Sequence, residues 1–181
     1  KKDVVQKKKS GEYLSVFKRN FMQDMASLIM IRSRMKLTHV TWPRINYLCN
    51  KYVFNKIRAF LWKKQYSQDL PSKKYIFFPL HMPGESQTII RGYPYVDDVD
   101  LAYHLSLHIP SEYTLVVKEH PGYEGWKSLG DLKKLTTLHN VCLLRSRYSS
   151  HDVIKSAACV ITINSSVWFE SLVFGTPVIT M

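Results

Sequence analysis

The pattern of apolar positions divides the chain into a helical first part and a second part in which short apolar runs alternate with helical segments. Residues 12–41 contain neither proline nor glycine, and apolar residues recur there at steps of three and four, which predicts an amphipathic helix. A second helix is predicted after Pro43, because proline is tolerated in a first helical turn. Its apolar residues recur at similar steps and are Ile45, Leu48, Tyr52, Ile57 and Phe60.

The second part has the texture of an α/β domain. Apolar runs predict strands at residues 75–80, 113–118, 141–144, 159–163 and 177–181. Helices are predicted between them at residues 98–107, 129–138, 151–157 and 167–174. Strands that are apolar on both faces and alternate with helices are typical of a parallel sheet covered by helices. The pattern therefore predicts a Rossmann-like parallel sheet with helices on both faces, preceded by a basic helical segment.

The charge distribution adds a boundary to this picture. Residues 1–74 hold 18 Lys and Arg against 4 Asp and Glu, whereas residues 75–181 hold 8 against 10. We therefore predict two parts, a basic amphipathic helical segment at 1–74 and a Rossmann-like domain at 75–181. The last residues, PVITM, are an apolar run that begins a strand, so we expect this domain to continue beyond them.

Two interpretations of the basic helices stay open. They can pack on a core with solvated basic faces, or approach an anionic surface such as membrane phospholipid or a polyanionic glycan. Nucleic acid is not favoured, because no RNA-recognition motif, zinc finger or helix-turn-helix spacing is present.

No part of the sequence resembles a membrane span or a secretory signal. No run approaches the roughly 18 consecutive apolar residues of a spanning helix, and the lysine-rich start is not followed by an apolar segment. We therefore expect a cytoplasmic protein, which the basic segment would hold peripherally on the inner face of the cytoplasmic membrane if it binds lipid.

Polar residues follow three of the predicted strands. His81 follows the first strand, Lys118 and His120 end the second, and Ser165 and Ser166 follow the fourth and open a helix. The carboxyl ends of parallel strands share one edge of the sheet, and ligands bind outside that edge. We therefore expect these side chains to lie at one ligand-binding edge.

Two of these clusters suit a phosphate group. Ser165 and Ser166 offer hydroxyls and backbone N–H groups at a helix N-terminus, although one of them can simply cap the helix. His120 can donate to a phosphate oxygen, Pro121 fixes the backbone beside it, and Lys118 adds a cation. Together they predict a phosphate site.

Glu170 lies four residues beyond Ser166, one turn further along the same helix face. A carboxylate there can accept both hydroxyls of a ribose, as acidic residues do in dinucleotide sites. A surface charge on the helix is the alternative.

A family resemblance is carried by four stretches of the second part, FPLHMPGESQT at 78–88, VVKEHP at 116–121, NVCLL at 140–144 and VITINSSVWFESLVFGTPVI at 160–179. They resemble the bacterial capsule-polysaccharide biosynthesis and export family, whose characterised members include β-Kdo glycosyltransferases. The resemblance covers about residues 75–181, while the basic segment carries little family signal. It implies that this part is the C-terminal, nucleotide-binding half of a GT-B glycosyltransferase.

The resemblance also implies roles for individual residues. Related GT-B enzymes that use CMP-activated acidic sugars share a His-Pro motif and a Ser/Thr pair that hold the CMP phosphate. By that likeness His120 and Pro121, with Ser165 and Ser166, bind the donor phosphate, and Glu170 contacts the ribose or the cytidine. Many family members have Gly-Thr in place of the serine pair, so the donor sugar stays open.

For His81 and Glu85 the resemblance implies a position facing the cleft between the two GT-B domains. A catalytic or sugar-contacting role and a loop-fixing role are both open for them. The general base of such enzymes normally comes from the N-terminal domain, so none is expected here. We expect no metal and no cofactor beyond the CMP-activated donor. No Asp-x-Asp triplet follows a predicted strand to hold a metal, and Asp98 and Asp100 suit the first turn of a helix instead.

The sequence therefore predicts a glycosyltransferase of capsule or surface polysaccharide synthesis. It would transfer Kdo or a similar acidic sugar from a CMP-activated donor to a glycan or glycolipid acceptor. Two other classes stay open, a non-catalytic assembly or export factor that binds glycan or membrane, and a UDP-sugar epimerase of GT-B shape.

Overall fold

The chain forms two compact units, residues Lys1–Val53 and Phe54–Met181. The computed structural model describes residues 22–24, 26, 46–67, 69–82, 90, 92, 94–95, 97–120, 123–163 and 165–181. Most of the helix predicted at 12–41 lies outside the described residues, and residues 22–24 and 26 are helical. The sheet and all the elements labelled below belong to the second unit.

Five parallel strands form one sheet among the described residues. They are β1 (Tyr75–Pro79), β2 (Thr114–Lys118), β3 (Val141–Leu144), β4 (Cys159–Thr162) and β5 (Val178–Thr180). Their order across the sheet is β3-β2-β1-β4-β5, and every neighbouring pair runs parallel. Each strand lies within the apolar run that predicted it, so the predicted parallel sheet is confirmed.

Helices alternate with the strands as predicted. They are α1 (Asn55–Trp62), α2 (Asp98–His108), α3 (Leu129–Thr136), α4 (Ser150–Ser156) and α5 (Val167–Val173). The Asp97 carboxylate caps α2 by accepting from the amides of Val99 and Asp100, each at 3.1 Å. Gly175 ends α5 with a φ of 71°. No helix in the described part of the chain has the length and apolarity needed to cross a membrane.

The helix predicted after Pro43 contains an irregularity that the apolar pattern does not reveal. Residues 46–49 are helical, Asn50–Phe54 form a π-helical segment, and α1 follows directly. The wider π turn rotates the residues that follow it around the helix axis. Leu48 is buried, whereas Ile57 and Phe60, which share its predicted apolar spacing, are 50% and 74% exposed and do not pack on a core.

The core consists of two apolar clusters, one on each face of the sheet. Successive strand residues point to opposite faces, so Val116 joins one cluster and Val117 the other. The cluster that contains Val117 includes residues of α2 and α3, whereas the cluster that contains Val116 includes residues of α4. The domain thus has helices on both faces of the sheet.

Packing places the start of the sheet-containing unit before α1, whereas the charge boundary lies at residues 74/75. Tyr66 is buried in the apolar cluster that contains Val117 and residues of α2 and α3, and Trp62 packs against the same cluster. Ser67 donates its amide to the Leu143 carbonyl at 2.8 Å. The end of the basic segment therefore belongs to the packed unit although its composition differs from that of the remainder.

Candidate functional site

The strand order reverses between β1 and β4. Strands β2 and β3 lie on one side of β1, and β4 and β5 lie on the other. In open α/β sheets, ligands bind outside the carboxyl ends of the strands where the order reverses in this way. His81 follows β1 and Ser165 follows β4, so each comes after one of the two strands at which the order reverses. Glu85, predicted nearby, lies outside the described residues.

Lys118 and Glu119 are consecutive residues at the end of β2 that point to opposite faces of the sheet. The Lys118 ammonium donates to Ser150 Oγ, at the start of α4, over 3.0 Å. The Glu119 carboxylate accepts from the Tyr66 hydroxyl on the other face. Each residue is only 2% exposed. The ammonium group of Lys118 is therefore buried against α4 and is not open to solvent at this edge.

Burial changes the proton affinity of both groups. It lowers the pKa of Lys118 to about 8, while the charge of Glu124 acts in the opposite direction. Burial also raises the pKa of Glu119 to about 7, although the hydrogen bond from Tyr66 works against that increase. Glu124, whose carboxylate accepts from the Ser146 hydroxyl, raises the pKa of Glu119 further. The carboxyl end of β2 thus holds a lysine and a glutamate whose charges are both costly to bury.

His120 is exposed and lies just beyond the end of β2, and the neighbouring Pro121 lies outside the described residues. The Tyr123 amide donates to the His120 carbonyl at 2.9 Å, and the Trp126 amide donates to the Tyr123 carbonyl at 3.0 Å. The three rings meet edge to face, with centroid distances of 5.8 Å and 5.5 Å. A small pocket beside His120 is lined by Leu80, His81, Glu119, His120, Tyr123, Trp126 and Lys127.

His81 is 7% exposed and fixes the start of the loop after β1. Its backbone amide donates to Asp98 Oδ2 at 2.7 Å, and its Nδ1 lies 4.0 Å from the same oxygen. Lys127 forms an ion pair with the other oxygen of Asp98. Asp98, in the first turn of α2, therefore contacts both His81, which follows β1, and Lys127, which precedes α3. The sequence pattern indicated only its place in a first helical turn and gave no signal for these partners.

The two serines at the start of α5 have different roles in the backbone. Ser165 Oγ accepts from the Val167 amide at 3.3 Å, so it makes a local capping contact. Ser166 occupies the N-cap position with helical backbone angles of −56° and −16°, and its side chain makes no capping hydrogen bond. The exposed Ser166 hydroxyl and the half-buried Ser165 hydroxyl both lie at the carboxyl end of β4, as predicted.

Glu170 lies on α5 and is paired with His151 of α4, a residue that no motif singled out. Glu170 Oε2 is 3.2 Å from His151 Nε2. The His151 ring meets the Phe174 ring edge to face at 5.4 Å, and Lys155 Nζ lies 4.7 Å from the centroid of the Phe174 ring. The carboxylate predicted to contact a ribose is thus held by a neighbouring imidazole.

The His120 and Ser165 clusters share one edge, on either side of β1. Neighbouring strands in a sheet are roughly 4.8 Å apart, so the ends of β2 and β4 are about 10 Å apart. A ligand that touches both clusters must therefore span the end of β1. Within the described ranges, no group of three or more His, Cys, Asp or Glu side chains is arranged to hold a metal ion.

Comparison with solved structures gives low-identity matches. KpsC from Thermosulfurimonas dismutans, described as a beta Kdo 2,7 transferase, matches with a TM-score of 0.46 and 23% identity over 85% of this chain and 46% of its own. Its beta Kdo 2,4 transferase structure matches with a TM-score of 0.47 and 17% identity over 70% and 43%. An S. aureus MnaA structure with UDP matches with a TM-score of 0.39 and 14% identity over 69% and 33%. The chain spans less than half the length of each of these proteins.

Comparison with protein families gives a match over nearly the whole chain, whereas the search of curated proteins found no match. The model of the family described as capsule polysaccharide biosynthesis protein matches residues 6–181. The expectation that the basic segment carries little family signal is therefore wrong, because the match includes it. The chain belongs to the capsule polysaccharide biosynthesis protein family.

Proposed function

We propose that this chain carries the donor-binding half of a glycosyltransferase of capsule or surface polysaccharide synthesis. The reaction would transfer Kdo or a similar acidic sugar from a CMP-activated donor to a glycan or glycolipid acceptor. The family match supports the pathway. The observation that carries the proposal is the placement of His120 and the Ser165–Ser166 pair at the ends of β2 and β4, on either side of the strand at which the order reverses.

In this proposal the chain's main task is to stabilise negative charge on the departing CMP phosphate. The exposed His120 donates to a phosphate oxygen from one side, with Pro121 beside it, and the hydroxyls of Ser165 and Ser166 donate from the other. Lys118 contributes positive potential from beneath the surface, because its ammonium group is buried against Ser150. His81 acts mainly on the loop after β1, since its amide is bonded to the buried Asp98.

Nucleotide binding tests the proposal directly. Isothermal titration with CMP should show binding, and His120→Ala should weaken it about tenfold or more, since a hydrogen bond to a charged group contributes roughly 1.5–3 kcal/mol. His139→Ala is the matched control. His139 is an exposed histidine just before the amino end of β3, at the opposite edge of the sheet. It should leave the affinity for CMP unchanged.

Three results would count against the proposal. The absence of binding heat with CMP at any concentration removes the transferase assignment and leaves the assembly or export factor. Binding of UDP in clear preference to CMP would favour the epimerase class. Equal CMP affinity in the wild-type protein and His120→Ala would remove His120 from the site.

We also propose that the protein contacts an anionic membrane surface through the basic segment, which would place it peripherally on the inner face of the cytoplasmic membrane. Exposed apolar residues in and just before α1 support this contact. They are Phe54, Ile57, Phe60 and Leu61, which are 50–74% exposed. Lys63 and Lys64 follow directly and are exposed as well. Apolar side chains beside lysines are typical of helices that lie in the headgroup region.

Vesicle co-sedimentation tests this contact. The double variant Lys63→Glu and Lys64→Glu should lower binding to phosphatidylserine-containing vesicles by more than tenfold, because each lysine near such a surface contributes about 1 kcal/mol. The control is Lys133→Glu with Lys134→Glu, which makes the same charge change at two exposed positions of α3. Unchanged binding in the first variant, or an equal loss in both, would count against a defined membrane surface.

A further inference from the structure

The first two residues of α4 each contact a side chain of the proposed donor site. Ser150 accepts a hydrogen bond from Lys118, which ends β2, and His151 pairs with Glu170, which lies on α5. These two partners come from different elements and lie 52 positions apart in the sequence. The start of α4 therefore connects both sides of the proposed site.

The contact between His151 and Glu170 determines where the carboxylate lies. Its N–O distance is 3.2 Å, and the two side chains are 56% and 33% exposed, so the pair is accessible from solvent. The Phe174 ring meets the imidazole edge to face and restricts its orientation. A glutamate side chain has many rotamers, and fixing one of them before a ligand arrives removes part of the entropy cost of binding.

We propose that His151 is a positioning residue that holds the Glu170 carboxylate ready to accept the ribose hydroxyls of the donor nucleotide. The inference rests on the proposed function, because Glu170 has this role only if a ribonucleotide binds at the site. A carboxylate offers about four lone-pair positions, so the single contact with His151 leaves enough capacity for both hydroxyls of a ribose.

A double comparison of protein and ligand isolates this role. CMP and 2′,3′-dideoxy-CMP are titrated calorimetrically into the wild-type protein and into His151→Ala. The variant should bind CMP about threefold more weakly, the scale of an exposed ion pair. It should bind the dideoxy compound as the wild-type protein does, because that ligand has no ribose hydroxyls for Glu170 to accept.

Three further variants separate positioning from a general structural effect. His151→Gln keeps an N–H donor and should restore part of the CMP affinity. In a Glu170→Ala background, His151→Ala should have no additional effect, because the group that it positions is gone. His104→Ala removes another exposed histidine–carboxylate pair, with Asp100 at 3.5 Å on α2, and should leave both affinities unchanged.

The outcomes distinguish this inference from the proposed function. Equal weakening of CMP and dideoxy-CMP by His151→Ala means that His151 supports the fold only, and unchanged CMP affinity means that it has no role in binding. Either result overturns the inference while CMP binding by the wild-type protein stands. Failure of the wild-type protein to bind CMP overturns both the inference and the proposed function.

Discussion

Replacing Gly125 by alanine is expected to lower the free energy of unfolding by about 3 kcal/mol or more. A Cβ atom at this position would lie 2.1 Å from the Asn55 carbonyl oxygen and 3.0 Å from the Ala59 amide nitrogen, both backbone atoms of α1. Backbone atoms of a helix cannot move aside as a side chain can, and overpacking costs roughly 1–3 kcal/mol. The φ of 78° adds about 1–2 kcal/mol for a residue with a Cβ. Denaturant unfolding measures the loss.

Two other glycines provide matched controls for this prediction. Gly130 lies in α3, and the atom nearest to a Cβ added there is Ser128 Oγ, at 3.6 Å. Gly130→Ala should therefore stabilise the helix by about 0.5–1 kcal/mol. Gly175 has a φ of 71° but no atom within 4 Å of an added Cβ, so Gly175→Ala should cost only about 1–2 kcal/mol of backbone strain. A loss at Gly125 no larger than that at Gly175 would contradict the close approach of α1.

The free energy of unfolding should fall by about 3 kcal/mol as the pH rises from 4.5 to 7, through the titration of Glu119 alone. Burial raises the pKa of this carboxyl group from 4.5 to about 7. Between these two values the folded protein binds more protons at Glu119 than the unfolded chain does, so stability decreases as the pH increases. Well below pH 4.5 the contribution is constant, because the carboxyl group is then protonated in both states.

The comparison with Glu119→Gln isolates this contribution from other titrating groups. The free energy of unfolding of both proteins is measured by denaturant titration from pH 4 to 8. The wild-type protein should lose stability relative to the variant across the window from 4.5 to 7, and the difference should be constant above it. Glu112→Gln, at an exposed position, is the control. Parallel stability curves for the wild-type protein and Glu119→Gln would contradict the effect of burial on Glu119.

The apolar pattern was sufficient to predict the sheet and most of its helices. Each strand is short and apolar on both faces, as burial between two helical layers requires. Asp97 begins a helix by capping it, and Gly175 ends one with a positive φ, and both are features of the local sequence. The edge position of His120 and Ser165 followed from the same pattern, because carboxyl ends of parallel strands share one edge. The apolar pattern and the helix-capping residues were thus sufficient to predict the fold class.

Contacts between distant residues could not be predicted in this way. The hydrogen bond from Tyr66 to Glu119 joins residues 53 positions apart, and neither residue belongs to a motif that indicates the other. The pair of His151 and Glu170 likewise depends on the packing of α4 beside α5. The spacing of apolar positions likewise indicates neither the π-helical segment nor the exposure of Phe60. These features arise from tertiary packing.

The strand register has a consequence for how ligand binding and stability are linked. The ladder between β1 and β4 has two residue pairs, whereas the ladder between β1 and β2 has five. The strand pair at which the order reverses, β1 with β4, therefore also has the fewest paired residues in the sheet. A donor bound by His120 on one side and by Ser165 on the other would link the two halves of the sheet across the short β1–β4 pairing. Part of its binding free energy would then oppose separation of the two halves of the sheet, and the apo protein would open there first.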